Sequence, residues 1–454
     1  MLLSAPLFAL PSPWPLLPLC VVPALWLAIW LVGGEPLVRT PLNIPILVIA
    51  VMILVSTWAT YDLKVSIGYI AGAVLGLGAF FTVARYAETP KGWWFCFFFY
   101  FGINILLAVV VTLMVQLPQK IGLLTPITSH LASPVIALHN LSELPHPNTI
   151  PAFLLGILPL QIVFTVSALV HRKRWVTIYG WKRAIKISLL FIESTVISGF
   201  ILLLSQSRGG YISFAVSCLF LILAVLHPRR RWLLLGGTAV AAVVIVALWQ
   251  WGDLASLQEN LRSSLSDDPA LSLDNLKNRI EIWSWAIFGI QDFPFMGIGM
   301  NTFEHVMPVL YPHFHVAPDV VNVNAHNTYL QAALDLGIPG LIAFLGVQFG
   351  SLWMLFKIWR TVSRWQDNPQ IKRGFLSLNG SEFLAKAIVL GLGGGILAYM
   401  VFGLTESIGL GVYLLIWTLI GLIAGLFRHI QSTQQNGVSS TVREVAMQRG
   451  EHSS

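Results

Sequence analysis

The chain has 454 residues, of which 56% are hydrophobic and only 10% are Asp, Glu, Lys or Arg, against about 25% charged in an ordinary soluble domain. This composition excludes a soluble globular enzyme and a disordered chain, and the three cysteines all lie in apolar runs, which excludes a disulfide scaffold. The net charge of +7 is spread over short loops rather than one face, so we expect membrane lipids and no nucleic acid as partners.

Eleven apolar stretches are each long enough to cross a bilayer as a helix. They fall at residues 15–33, 44–61, 65–84, 93–116, 151–170, 187–205, 211–227, 232–251, 330–356, 384–405 and 408–427. Prolines interrupt residues 2–33, so this stretch can form two short passes or a re-entrant segment. The predicted fold is all-α, a polytopic membrane helix bundle of about 11–12 transmembrane helices with a large, partly helical periplasmic loop.

Basic residues fix the orientation of these spans. They cluster in three short connections, at residues 172–186, 229–231 and 357–373, which all fall on one side of the membrane. The positive-inside rule assigns that side to the cytoplasm. The long outer segment, residues 252–329, contains nine acidic and three basic residues.

The chain therefore divides into five parts. Residues 1–150 hold the first transmembrane helices and the first periplasmic loop, and residues 151–251 hold the central transmembrane helices. Residues 252–329 form the periplasmic loop, and residues 330–427 hold the last transmembrane helices. The polar tail, residues 428–454, is expected to be disordered in the cytoplasm.

Arg208 is the first candidate site residue, in the motif S-Q-S-R-G-G-Y that joins two apolar spans. An arginine on the outer side runs against the charge bias. The two glycines after it would let the backbone turn tightly and a ligand approach closely. Its guanidinium can hold a phosphate by a two-point contact. Alternatively, Arg208 only extends to the lipid headgroups.

Arg279 is the second candidate, in the motif K-N-R-I-E-I-W-S-W of the outer segment. It shares a helix face with Trp283, four residues on, which can place the cation beside the ring. Alternatively, Arg279 forms a surface ion pair with one of the many carboxylates around it. The turn D-F-P-F-M-G-I-G follows at residues 292–299 and offers no evident nucleophile.

His326 is the third candidate, in the motif N-A-H-N-T-Y-L-Q where the ninth span begins. Asn327 or Thr328 can cap that helix, which would put His326 at its amino end. The positive end of the helix dipole favours a neutral imidazole there, and a neutral histidine can act as a general base. Alternatively, His326 is structural and hydrogen-bonds within the loop.

Other ionisable residues give weaker signals. Glu193 lies within an apolar span, where a carboxyl group is either functional or a hydrogen-bonded structural acid. His305, His313 and His315 lack the spacing of a zinc site, so we expect no metal. A proline-rich stretch around His139 and His146 would shape a substrate entrance.

These motifs, in this order, resemble the O-antigen ligase and polymerase family of bacterial membrane glycosyltransferases. The resemblance covers about residues 185–425. It implies a multi-pass protein of the bacterial inner membrane that moves a glycan from an undecaprenyl pyrophosphate carrier to an acceptor at the periplasmic face. The acceptor would be a lipid-anchored sugar or another glycan. The resemblance implies no cofactor, no nucleotide-sugar donor and no essential metal.

The resemblance also implies roles for the three candidates. His326 would deprotonate the acceptor hydroxyl, while Arg208 and Arg279 would hold the pyrophosphate. Paired arginines near a water-poor boundary would stabilise the charge that develops on the leaving group. The expected substrate-binding residues are Arg208, Tyr211, Arg279, Trp283 and Asn327.

Several functions remain open beside O-antigen ligation. The nearest are an O-antigen or exopolysaccharide polymerase and a protein O-glycosylating enzyme of the same family. A small-anion or bicarbonate-type transporter belongs to a different class and predicts inverted repeats and ionisable groups near the membrane midplane. Only Glu193 and the glycine cluster Gly391–Gly395 point that way. A non-catalytic assembly scaffold is a further alternative.

Overall fold

The computed structural model describes residues 16–115, 117, 124, 126–128, 147–226, 273–311, 324–364, 382–407 and 414–433. The predicted span 232–251 lies outside the described residues, as do residues 252–272 of the predicted periplasmic loop and most of the predicted tail. His139, His146, His313 and His315 also lie outside them.

The described residues are helical over most of their length. In chain order the helices are α1 (Leu17–Leu31), α2 (Asn43–Ala59), α3 (Leu63–Tyr86), α4 (Pro90–Met114), α5 (Thr149–Leu154), α6 (Leu158–Val170), α7 (Arg172–Tyr179), α8 (Trp181–Leu204), α9 (Arg208–Val225), α10 (Leu273–Asp292), α11 (Phe303–Leu310), α12 (Thr328–Ser363), α13 (Glu382–Phe402) and α14 (Leu414–Thr433).

Seven of these helices are long and apolar enough to cross a membrane, namely α3, α4, α8, α9, α12, α13 and α14. Three more, α1, α2 and α6, are apolar but shorter. The protein is therefore an all-α polytopic membrane protein, which confirms the predicted fold class. The total of 11–12 spans stays a prediction, because the described residues leave out 232–251.

The predicted span at residues 151–170 is not one continuous helix. It consists of α5 and α6, which are separated at residues 155–157. Pro159, at the start of α6, has no N–H with which to continue a helical ladder. A break at membrane depth requires partners for the freed backbone groups. The Tyr399 hydroxyl supplies one, because it donates to the Ala152 carbonyl at 2.8 Å.

Helices α13 and α14 form the centre of the bundle. In their most apolar windows 72% and 83% of the residues are buried, against 22% for α9 at the periphery. Small residues on α13 allow this close packing. A β-carbon built on Gly395 would lie 2.6 Å from the Gly156 carbonyl oxygen, and one on Gly391 would lie 2.6 Å from the Leu160 side chain. The glycine cluster thus serves packing in a continuous helix, not an interrupted helix of the transporter type.

Two backbone hydrogen bonds clasp the turn after α10 to a kink in α12. The Ile298 N–H donates to the Leu334 carbonyl and the Ile338 N–H to the Pro294 carbonyl, both at 2.7 Å. The kink lies at Gly337, whose φ of 68° and ψ of 175° suit glycine almost alone. The motif D-F-P-F-M-G-I-G is therefore one half of a backbone clasp.

The same turn is also anchored to α2 and α3. The Met300 N–H donates to the Ser56 hydroxyl at 2.8 Å, and the Ser66 hydroxyl donates to the Met300 carbonyl at 2.6 Å. Asp335 of α12 accepts from Gln331 at 2.8 Å and from the Asn301 N–H at 3.3 Å. These bonds fix α10 and the start of α12 against the membrane helices.

Gly337→Ala is expected to destabilise the protein by at least about 2 kcal/mol. A β-carbon at Gly337 would lie 2.3 Å from the Phe295 carbonyl oxygen. The backbone conformation at this position is also strongly unfavourable for alanine. Thermal unfolding of the purified full-length protein in detergent measures the effect. Gly102→Ala is the matched control, because a β-carbon there meets nothing within 4 Å. Equal melting temperatures for the two variants would contradict the clasp.

Candidate functional site

Five segments far apart in sequence meet at one end of the bundle. Arg208 begins α9, Arg279 lies on α10, His326 precedes α12 and Glu406 follows α13, while Asn148 precedes α5. This is the end opposite the basic residues of α7 and the start of α13, so the charge pattern places it outside. We call Asn148, Arg279, His326 and Glu406 the Glu406 cluster.

Glu406 is the centre of this cluster and is only 8% exposed. Its Oε1 accepts from Asn148 Nδ2 at 2.6 Å and from Arg279 Nη2 at 2.8 Å. Its Oε2 lies 3.3 Å from His326 Nδ1. Burial alone would raise the pKa of Glu406, but its contacts with His326 and Arg279 outweigh burial and lower the pKa below its ordinary value. The carboxylate is therefore ionised at neutral pH.

The ionised carboxylate determines which nitrogen of His326 carries the proton. A carboxylate can only accept hydrogen bonds, so Nδ1 must be the donor in the contact with Glu406. In the neutral imidazole the lone pair then lies on Nε2. A histidine oriented in this way has the geometry of a general base whose second nitrogen is held by a carboxylate.

The backbone around His326 is strained and tightly held. His326 has a left-handed φ of +46°, a conformation that is uncommon for residues other than glycine, although histidine adopts it more often than most. The next two residues bond the turn that carries Glu406, since the Asn327 N–H donates to Ser407 Oγ at 3.0 Å and the Thr328 N–H to the Gly403 carbonyl at 2.7 Å. The imidazole and its carboxylate are thus positioned by the same backbone contacts.

Asn327 is the N-cap of α12, as one of the two predicted alternatives stated. Its side chain accepts from the N–H groups of Tyr329 and Leu330 at 2.9 and 3.1 Å. Its own amide donates to the Leu404 carbonyl at 3.2 Å. The prediction that His326 lies at the amino end of this helix is confirmed.

Arg279 bonds the turn after α13 with two of its nitrogens. Nη2 pairs with Glu406, and Nη1 donates to the Thr405 carbonyl at 2.5 Å. The predicted alternative, an ion pair between Arg279 and a carboxylate, is therefore correct. The partner, however, is Glu406, which lies 127 residues further along the chain. The side chain stays 31% exposed. Trp283, one turn further along α10, donates from Nε1 to the Ala325 carbonyl at 3.1 Å and so supports the backbone before His326.

Arg208 is exposed at the start of α9, whose N-cap is Ser207. A β-carbon on Gly209 would lie 2.3 Å from Thr405 Oγ1, so this segment touches the turn that binds Arg279. Arg279 and the backbone segment that carries Arg208 thus both contact this turn. The expected tight turn at the glycines is wrong, because the left-handed residue is Gln206, with φ of 47°. The glycines instead let α9 pack closely.

Tyr211 lies one turn into α9, and its hydroxyl donates to the Leu203 carbonyl of α8 at 2.7 Å. This bond ties the two helices together beside Arg208. Glu193 is exposed on α8, outside the Glu406 cluster. His305 packs its ring against Tyr61 at 5.9 Å. Among the described residues, no three His, Cys, Asp or Glu side chains are grouped as metal ligands would be.

Sequence reasoning missed Glu406 and Asn148. A signal for Glu406 was present, since it is a lone carboxylate in a turn of a few residues between two apolar spans. Asn148 gave none, because asparagine is common in loops. Only the fold brings these two side chains together, at a separation of 258 residues.

Comparison with known proteins finds one match within the chain. The family model described as O-antigen ligase matches residues 194–345. The matched segment runs from α8 into α12 and includes Arg208, Arg279 and His326, while Glu406 lies beyond it. No curated protein matches the chain. The resemblance seen in the sequence is thus confirmed for residues 194–345, the segment of this polytopic membrane protein that matches the O-antigen ligase family.

Proposed function

We propose that this protein is an O-antigen ligase of the bacterial inner membrane. It transfers a glycan from an undecaprenyl pyrophosphate carrier to a lipid-anchored acceptor sugar at the periplasmic face. The observation that carries the proposal is the contact between His326 Nδ1 and the ionised carboxylate of Glu406, with two arginines at the same turn. A base and an anion-binding pair are what glycosyl transfer from a pyrophosphate requires.

The proposed reaction is a single displacement with inversion. Nε2 of His326 takes the proton of the acceptor hydroxyl as its oxygen attacks the anomeric carbon of the donor sugar. The bond from that carbon to the pyrophosphate oxygen breaks, and its electron pair leaves with the carrier pyrophosphate. The proton remains on His326, where Glu406 stabilises the imidazolium.

Arg208 and Arg279 stabilise the charge that develops on the leaving pyrophosphate. A guanidinium has five N–H donors, and Arg279 uses only some of them in its bonds to Glu406 and Thr405. Its partial exposure leaves the remaining donors for a phosphate oxygen. Arg208 and Arg279 carry two positive charges against the one negative charge of Glu406, so the charge balance of these three residues favours a diphosphate.

The polar groups of three further residues predicted to bind substrate are hydrogen-bonded within the protein. Polar atoms of Trp283, Tyr211 and Asn327 donate to main-chain carbonyls. In this proposal they shape the site, and the partly buried Trp283 ring offers an apolar face to a sugar.

His326→Asn is expected to lower ligation at least about 100-fold. Asparagine tolerates the left-handed backbone of this position but supplies no base, so the loss reports chemistry rather than strain. A deletion strain is complemented with the native protein or the variant at equal membrane levels, followed by a surface-glycan gel and extraction of the lipid carrier.

The outcomes separate the candidate functions. Loss of the long-glycan ladder with long chains on the carrier supports a ligase. Single repeats transferred to the acceptor indicate a polymerase instead. An unchanged profile with His326→Asn would contradict a catalytic base and return attention to a scaffold or a transporter.

Glu406→Gln is expected to reduce turnover between about 10²- and 10⁴-fold. Glutamine keeps the size of the side chain, but it neither fixes the Nδ1–H tautomer of His326 nor stabilises its cation. Steady-state assays of the purified protein with lipid-linked donor should show a larger fall in kcat than rise in KM. Glu193→Gln makes the same chemical change on the exposed face of α8 and should leave turnover unchanged. Equal turnover in both variants would remove Glu406 from the mechanism.

Arg279→Lys is expected to lose about 100-fold or more in turnover although it keeps the charge. A lysine cannot bond Thr405 and Glu406 as a fork and also reach a phosphate. The same assay measures this effect, and near-normal turnover would argue against a pyrophosphate clamp.

A further inference from the structure

A cavity of about 550 Å³ opens at the other end of the bundle. It lies between α7 and the first turn of α13, and its lining includes Lys173, Arg174, Thr177, Glu382, Phe383 and Lys386. Its volume is in the range of small-molecule sites. The basic residues place this end at the cytoplasmic membrane surface.

The cavity carries an excess of positive charge. Among the described residues that line it, Glu382 is the only carboxylate, and it pairs with Lys386 at 2.6 Å. None of the carboxylates in the described ranges forms an ion pair with Lys173 or Arg174. Arg174 lies over the Phe383 ring at 5.8 Å from its centroid, which orients the guanidinium at the cavity wall. An anion would therefore find two cations available.

The wall formed by α7 is rigid. Trp175, between the cavity residues of this helix, is only 2% exposed. Its Nε1 donates to the Ser167 hydroxyl of α6 at 3.2 Å, and its ring approaches Phe383 at 6.5 Å. α7 is therefore joined to α6 and α13 through this tryptophan, which directly follows the cavity residue Arg174.

Exposed apolar residues lie on the helix that leads into α7. Val166, Leu169 and Val170 are exposed at the end of α6, directly before α7. In a membrane protein such residues face acyl chains. A ligand with a charged head and apolar chains would bury both ends at this place, whereas inorganic phosphate would use the cations alone.

We propose that this cavity binds the headgroup of an anionic phospholipid. The phosphodiester takes a two-point contact from Arg174 and a further charge from Lys173, while Thr177 and Glu382 bond the glycerol hydroxyls of the headgroup. Acyl chains run along the exposed side of α6. This site is independent of the proposed glycosyl transfer, because it lies at the opposite end of α13 from Glu406.

Native mass spectrometry of the detergent-solubilised full-length protein tests the site, with dioleoyl phosphatidylglycerol as the probe and dioleoyl phosphatidylcholine as the neutral comparison. The variant carries Lys173→Gln and Arg174→Gln together. The matched control carries Lys182→Gln and Arg183→Gln, which remove the same charge from the same membrane surface outside the cavity lining.

The variant is expected to weaken the first phosphatidylglycerol binding event about 30-fold, and the control less than about 3-fold. Phosphatidylcholine should bind the native protein and both variants alike. Equal weakening in variant and control would overturn the proposal, because it would reduce the effect to diffuse attraction. Displacement of the lipid by millimolar inorganic phosphate would also overturn it, in favour of a free-phosphate site.

Discussion

The buried carboxylate of Glu406 is the constraint on which the outer end of this protein depends. A charge taken out of water is tolerated only when it is paired and hydrogen-bonded. Here three donors come from three different parts of the chain, Asn148 before α5, Arg279 on α10 and His326 before α12. Removal of any donor leaves the charge under-satisfied, so the cluster selects one arrangement of these segments.

The rest of the fold delivers those segments to the carboxylate. The glycines of α13 let it lie close to α6, and Tyr399 on α13 bonds α5 near the break between α5 and α6. Asn148 therefore reaches the turn that follows α13. On the other side, the backbone clasp at Gly337 holds α10 to α12. Arg279 and His326 then approach Glu406 from fixed directions.

The sequence allowed the local features to be predicted and not the long-range ones. Apolar length gave most of the spans, and helix-capping chemistry gave Asn327 and the position of His326, because these depend on neighbouring residues. The break at 155–157 was missed, since its partner Tyr399 is far along the chain. Glu406 was missed for the same reason, since its bonds to His326 and Arg279 span 80 and 127 residues.

A carboxylate paired with Arg279 would by its charge oppose the proposed binding of a pyrophosphate, but the geometry resolves this conflict. Glu406 is nearly buried and uses its lone pairs on protein donors, so its charge is largely compensated before an anion arrives. Its bond to Arg279 keeps that side chain from adopting other rotamers, which lowers the entropy lost when a phosphate binds. In the proposed reaction, its bond to His326 would stabilise the proton taken from the acceptor. In the proposed reaction, the carboxylate thus weakens the attraction for the donor but preorganises both the base His326 and the side chain of Arg279.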